Sequence, residues 1–326
     1  MTWLVTGGAG YIGSHVTRRL LAAGHRVVVY DDLSTGLPDR MPPGVPLVIG
    51  SVTDPAALLR AFTEHRVTAV VHLAARKSVP ESLARPTFYY RENVGGLVAL
   101  LDAMVATGVR RLLFSSSAAV YGNPPTSLVT EDTPPDPINP YGRTKLDGEH
   151  LIRAVGEAHG LSWIALRYFN VVGTDSPLLG DRGTTNLVPL ILTALTTGEP
   201  LTVAGTDHPT PDGTPVRDYV HVADLADAHL AAAGRLAGGR VAATYNVGTG
   251  RGHSVRDVIA CAERVTGLPV PHLLGPRRPH DPSEVVADPA AIAAALGWRA
   301  RLGLVDMISS SWRTAHDVSR RPAPVV

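Results

Sequence analysis

The chain has 326 residues, a 44% hydrophobic share and a net charge of +1 at neutral pH. Its length exceeds what one core usually serves, so it predicts two domains or one large domain with a lobe. The near-zero charge removes the electrostatic case for nucleic acid or an anionic membrane as partner. No apolar run reaches the length of a membrane span, and the single cysteine, Cys261, excludes an internal disulfide.

The N-terminal MTWLVTGG has no basic region, and its apolar run stops at glycine. It reads as a buried strand over 2–7, not a signal peptide, so the chain is expected in the cytoplasm. Helical periodicity follows over 11–23, then an apolar strand over 26–31. Further strands are predicted at 46–50, 68–74, 111–116 and 162–169, with helices at 55–64, 87–107 and 141–158. Apolar strands alternating with helices predict an α/β fold: a Rossmann-type, doubly wound parallel sheet covered on both faces.

The second half is less regular. Segments 171–185 and 205–216 are rich in Gly, Pro, Thr and Asp and read as loops. Helices are expected at 187–197, 223–236 and 255–266, the last opened by the capping pair Ser254 and Asp257. Strands are expected near 200–204, 217–222 and 245–248.

Strand 2–7 runs directly into Gly7-Gly8-Ala9-Gly10-Tyr11-Ile12-Gly13. Glycines at 7, 10 and 13 allow a tight turn, close approach to a pyrophosphate and packing of the following helix, whose N-terminus attracts the anion. Asp31 ends the second strand, 18 residues past Gly13, where a carboxylate binds ribose hydroxyls. A carboxylate there repels a 2′-phosphate, so the cofactor is expected to be NAD rather than NADP.

The chain carries 30 basic residues but only two lysines, Lys77 and Lys145. Lys145 follows Tyr141 by four residues, the spacing of neighbours on one helix face. Free tyrosine has a pKa of about 10, too high for a base at neutral pH. A neighbouring ammonium and a nicotinamide cation would both favour the phenolate. Ser117, after strand 111–116, can relay the proton. Thirteen histidines are scattered without metal-ligand spacing, so no metal is expected, and His221 reads as structural.

Six strings carry a family resemblance across nearly the whole chain: TGGAGYIGSH (6–15), SSSAAVYG (115–122), NPYGRTKLDGE (139–149), LRYFNVVG (166–173), PTPDGTPVRDYVHVADLADAH (209–229) and YNVGTGRGHSV (245–255). On these the chain resembles the extended short-chain dehydrogenases/reductases and, among them, the UDP-glucose 4-epimerases. The resemblance implies an NAD-dependent nucleotide-sugar 4-epimerase: hydride leaves C4, the 4-keto sugar turns over, and hydride returns to the other face. It implies catalytic roles for Tyr141, Lys145 and Ser117. Cofactor contacts are implied for Gly7, Gly10, Tyr11, Ile12, Gly13, Asp31, Asp32, Leu33, Ser34, Ser51, Val52, Leu73, Ala74, Ala75, Lys77, Asn93, Ser115, Tyr168 and Phe169, besides Tyr141 and Lys145. Substrate contacts are implied for Asn170, Asn186, Leu187, Arg217, Arg278, Asp281 and Val285, together with Lys77, Ser117 and Tyr141. It also implies an NAD-binding domain over 1–170, a smaller mixed α/β nucleotide-sugar lobe over 171–318 with some segments returning to the first, and a frayed tail at 319–326. A homodimer would pair helices 87–107 and 141–158.

Ala118 and Ala119 follow the active-site serine where dehydratases and decarboxylases of this superfamily place acids. Alanine can neither donate nor accept a proton, which leaves oxidation and reduction at C4. A 4-ketoreductase or dehydrogenase, or an epimerase for another nucleotide sugar, is the alternative. Three positions depart from the pattern: Ala204 stands where an aromatic stacks on uracil, Ser51 where an Asp lies near adenine, and loop 174–185 is short and expected to line the sugar pocket. Val285 stands where a bulky aromatic would exclude a C2 N-acetyl group.

Overall fold

In a computed structural model, which describes residues 1–278 and 281–319, the first half alternates strand and helix. It runs β1 (Thr2–Thr6), α1 (Tyr11–Ala22), β2 (Arg26–Asp31), β3 (Leu47–Ile49), α2 (Pro55–Glu64) and β4 (Ala69–His72). Then come α3 (Val79–Ala84), α4 (Pro86–Tyr89), α5 (Gly96–Thr107), β5 (Arg111–Ser117), β6 (Leu128–Val129), α6 (Pro140–His159) and β7 (Ser162–Tyr168). The second half contains β8 (Asn170–Val172), α7 (Leu187–Thr197), β9 (Leu201–Ala204), β10 (Val216–His221), α8 (Val222–Ala237) and β11 (Ala242–Val247). It closes with β12 (Gly252–Ser254), α9 (Val255–Thr266), β13 (His272–Gly275), β14 (Glu284–Ala287), α10 (Ala290–Leu296) and α11 (Leu304–Ser319).

Every residue of β1 and β4 is buried, so neither face of these strands meets water. Seven strands join in parallel in the order β11-β7-β5-β4-β1-β2-β3. Successive side chains of β1 feed opposite cores, as a period of two requires. Trp3 and Val5 pack with α1, α8 and α10, whereas Leu4 packs with α2, α5 and Ile152 of α6. Thus α8, α10 and β11 serve the first sheet although they lie late in the chain. A third core joins α7, α9 and α11 to β9 and to Tyr219 of β10. There β10 gathers β12, β14 and β8, and β14 also pairs β6.

Several expectations change. The helix expected over 87–107 is α4, a wider π turn at Tyr90–Gly95, and α5. Apolar periodicity runs through the turn, so the sequence does not mark it. Asn170–Val172 forms a strand where a loop was expected from 171, because β10 offers it a parallel partner. Four further strands (β6, β12, β13, β14) and helices α3, α10 and α11 lie outside the expected elements. The strands are two to four residues long and exist through distant pairing, which no local pattern announces. The tail expectation at 319–326 lies outside the described residues except for Ser319, which ends α11.

Candidate active site

A cleft of about 570 Å³ crosses the carboxyl ends of the first sheet in strand order. Tyr168 ends β7, Tyr141 and Lys145 reach in from α6, and Leu73 to Ser78 follow β4. The glycine loop follows β1, Asp31 ends β2 with Asp32, Ser34 and Thr35 after it, and Gly50 to Val52 follow β3. This is where an open α/β sheet binds its ligand.

The glycine loop has little choice of residue. Gly7 has a φ of +70°, and a Cβ there would stand 2.7 Å from the Ala74 nitrogen. A Cβ on Gly13 would stand 2.1 Å from the Gly7 oxygen. A Cβ on Gly10 would meet only the Gly7 oxygen at 3.1 Å, leaving that position open to the cleft. Helix α1 begins after Gly10 with no side-chain cap, so its first-turn N–H groups face the cleft unclaimed by a side chain. These features fit a dinucleotide pyrophosphate. Asp31 is buried, and its carboxylate accepts from the Ala9 and Leu33 nitrogens at 3.0 and 2.9 Å. Burial raises its pKa against those two bonds. Ser51 lines the same cleft and bonds Thr53 Oγ1 at 2.8 Å.

Two carbonyls and a carboxylate outside the sheet complete the wall. Tyr11 donates to the Gly173 oxygen at 2.5 Å, and buried Arg40 donates to the Gly180 oxygen at 2.6 Å. These bonds, with His15 against Asp175 at 3.2 Å, draw in the loop after β8. Asp181 to Thr185 therefore line the cofactor cleft rather than serving the sugar side alone. Arg76 also lines the cleft; its backbone is clipped by Asn93, whose Oδ1 accepts from the Arg76 nitrogen at 2.8 Å. Asn93 Nδ2 donates to the Arg76 oxygen and to Thr144 Oγ1, both at 3.0 Å. Asn93 thus stands behind the cleft wall and acts through Arg76.

The catalytic candidates converge. Asn139 caps α6 by accepting from the Gly142 nitrogen at 2.9 Å, which fixes the first turn and places Tyr141 on it. A Cβ on Gly142 would lie 2.4 Å from the Ala119 oxygen, so this glycine lets the helix close on the turn after Ser117. Ser117, whose Oγ accepts from the Ala119 nitrogen at 3.1 Å, lies beside the Tyr141 hydroxyl. Burial raises the Tyr141 pKa above its ordinary 10.0, and the neighbouring Ser117 hydroxyl opposes the rise. Lys145 is 4% exposed and donates to the Ser115 oxygen at 2.8 Å, with Nζ 5.1 Å from the centre of the Phe114 ring. Its pKa is lowered to about 8 by burial, partly offset by Glu149. The ammonium therefore rests on a carbonyl, not on the phenol, and the protein alone does not favour the phenolate. His72 is held down at about 3 by burial and by Lys145, so it stays neutral and bonds Thr6 Oγ1 at 2.7 Å.

On the expected substrate side, Arg217 of β10 and Asp281 form an ion pair, and Arg217 also donates to the Pro282 oxygen at 2.6 Å. Val285 of β14 pairs with Arg217 in register and packs with Phe169, Tyr121 and Leu146. Asn186 bonds Asp181 at 3.0 Å and Leu187 opens α7. Asn170 and Arg278 are exposed, as is Lys77 at the cleft lip. Leu33, Asn93, Ser115 and Phe169 support the cleft without lining it. Arg40, Arg76 and Arg182 line it, although the sequence reading missed them. Among the described residues, no cluster of side chains could hold a metal and no helix is long and apolar enough to cross a membrane. His221 is structural as expected: it accepts from the Ala223 nitrogen at 3.0 Å to cap α8.

The sequence profile of the NAD dependent epimerase/dehydratase family matches residues 3–248. The UDP-glucose 4-epimerase of Azospirillum brasilense is 46% identical over 299 residues, covering 90% of this chain and 86% of that protein. The enzyme of the same name from Lacticaseibacillus casei is 42% identical and covers 96% of both chains. The crystal structure of UDP-glucose 4-epimerase from Stenotrophomonas maltophila, with bound NAD and formylated UDP-arabinopyranose, superposes with a TM-score of 0.95 at 40% identity. It covers 98% of this chain and 99% of that one. The Bifidobacterium longum enzyme, in complex with NAD+ and UDP, gives 0.93 at 38% identity, over 97% of this chain and 98% of that one.

Burying the Lys145 ammonium costs stability. Its folded pKa of about 8 lies below the ordinary 10.5, so the unfolded chain binds the extra proton between those values and stability rises with pH across that window. Lys145→Met is expected to raise the thermal midpoint at pH 7 and to flatten the rise above pH 8, measured by calorimetry on cofactor-free protein. A lower midpoint at pH 7 would contradict this.

Proposed function

From its membership of the NAD dependent epimerase/dehydratase family, to which this chain belongs, we propose that the protein is an NAD-dependent nucleotide-sugar 4-epimerase of the UDP-glucose/UDP-galactose type. The observation that carries the reading is the convergence of Ser117, Tyr141 and Lys145 where α6 meets the cofactor cleft, with apolar Ala118 and Ala119 next to the serine. That set moves one proton and has no second acid to expel a substituent. When bound, NAD would supply reversible hydride chemistry at C4 and, in its oxidised form, a positive charge favouring the phenolate.

The chain's own residues do the rest. Tyr141 takes the proton of the sugar 4-hydroxyl, directly or through Ser117, holds it while the sugar is a ketone, and gives it back. Because burial keeps the Tyr141 pKa high, the phenol is neutral until the site is loaded. Lys145 would hold the nicotinamide ribose; at rest its ammonium bonds the Ser115 carbonyl, so its help to the phenolate belongs to the loaded site. Asp31 takes the adenosine ribose, and first-turn N–H groups of α1 take the pyrophosphate. Arg217 is poised for the substrate diphosphate, since a guanidinium pairs with phosphate as readily as with the Asp281 carboxylate it holds here. Ala204 offers the base no ring, so the base rests on other groups of the lobe.

The same proposal includes a homodimer in the cytoplasm, built on the helices over 87–107 and 141–158. Tyr90 and Val98 are 40% and 42% exposed there, an apolar pair that a second copy would cover.

Purified protein should interconvert UDP-glucose and UDP-galactose with no added cofactor. Tyr141→Phe should cut kcat by about a hundredfold or more while NAD stays bound. A requirement for stoichiometric NADH would instead identify a 4-ketoreductase. Valine at 285 leaves room for an acetamido group at C2, so Val285→Tyr should lose the N-acetylated substrate and keep the plain hexose. Equal rates on both sugars in that variant would remove Val285 from the specificity argument.

A further inference from the structure

We propose that Arg76 is a cofactor-retention residue whose guanidinium straps the cleft across the glycine loop. The proposal rests on the NAD-dependent reading above and adds a means of keeping the cofactor in place.

Topology carries the argument. In the first sheet β1 lies between β4 and β2. Arg76 follows β4, whereas Asp32 and Ser34 follow β2. Arg76 donates from Nη1 to Ser34 Oγ at 2.9 Å and from Nη2 to Asp32 Oδ2 at 3.4 Å. A contact between those two loops must pass over the loop that leaves β1, which is Gly7 to Gly13. Arg76, Asp32 and Ser34 all line the cleft, so the bridge belongs to its wall and not to a separate surface.

The strap is anchored at its base. Asn93, from the π turn, holds both the N–H and the carbonyl of Arg76 and ties them to Thr144 of α6. It also has a resting place when open. Glu92 lies 3.6 Å from Nη2, and the Phe88 ring centre lies 5.4 Å from the guanidinium carbon. The free end can therefore leave Ser34 and Asp32 without losing every partner. Its side chain is 24% exposed, as a movable bridge at a cleft mouth requires.

Retention suits this chemistry. A 4-epimerase oxidises and reduces the same carbon in one visit, so exchanging cofactor between the halves would strand a ketone. A planar, five-donor head suits the span between two loops better than an ammonium.

NAD release is followed from the loaded holoenzyme after dilution into a trap that destroys free NAD. Arg76→Leu should release NAD roughly three- to tenfold faster, the scale of one partly exposed charge-assisted bridge. Ser34→Ala should speed release less, and the double variant should be no faster than Arg76→Leu alone, because both act through one contact. Release from the native protein should quicken with added salt, and release from Arg76→Leu should not. Unchanged release from loaded Arg76→Leu would overturn the strap. So would independent, multiplying effects of the two substitutions, which would place Arg76 on the cofactor without Ser34. A native protein that carries no NAD would sink the functional reading and the strap together.

Discussion

The structure depends on keeping one positive charge nearly dry. The Lys145 ammonium has a carbonyl, an aromatic face and a carboxylate one helical turn away, and almost no water. A lone buried cation would lose its proton, so the surroundings must carry compensating charge. Glu149 supplies it, but a buried carboxylate needs partners of its own. Arg167 of β7 takes both of its oxygens, at 2.9 and 2.6 Å, and Ser116 donates to it at 2.5 Å. Arg167 goes on to the Tyr121 hydroxyl, which donates to Asn246 of β11 at 2.6 Å. Helix α6 is thereby registered against β5 and β7 by charge as well as by packing. That register brings Tyr141 to Ser117.

The cofactor cleft obeys the same economy of water. Its floor is backbone brought too close for side chains, and its walls are loops pinned to one another across the strand ends. Tyr11, His15 and Arg40 hold the loop after β8 from the side of the first sheet, so Asp181 to Thr185 close over a site built by distant sequence. Each pin uses a backbone carbonyl or a carboxylate as acceptor, and each donor is aromatic, imidazole or guanidinium. None requires a flexible lysine. The two lysines of the chain stand at the cleft, one buried and one at its lip.

Local signals were legible in the sequence. The glycine loop and Asp31 follow fixed offsets along one strand, turn and helix, and the structure puts them together as expected. Tyr141 and Lys145 share a helix face, and Lys145 stands out because arginine fills nearly every other basic position. Long-range features were not legible. Arg76 and Arg40 carry no signal in a chain of 28 arginines; only the fold shows that their partners lie across the cleft. The π turn at Tyr90–Gly95 hides in continuous helical periodicity, yet it turns Asn93 toward Arg76. The short strands β12 and β14 exist because β10 lies between them. The expected help of Lys145 to the phenolate is also qualified, since the resting ammonium bonds Ser115 and burial dominates Tyr141.

The central claim is that one hydride leaves C4 and returns within a closed site that does not exchange it with water. The direct measurement is proton NMR of UDP-glucose incubated in D2O with the purified protein and no added cofactor. The account predicts conversion to the galactose epimer with ordinary hydrogen retained at C4 throughout. Deuterium appearing at C4 as the epimer forms would mean proton abstraction from carbon and would contradict the mechanism.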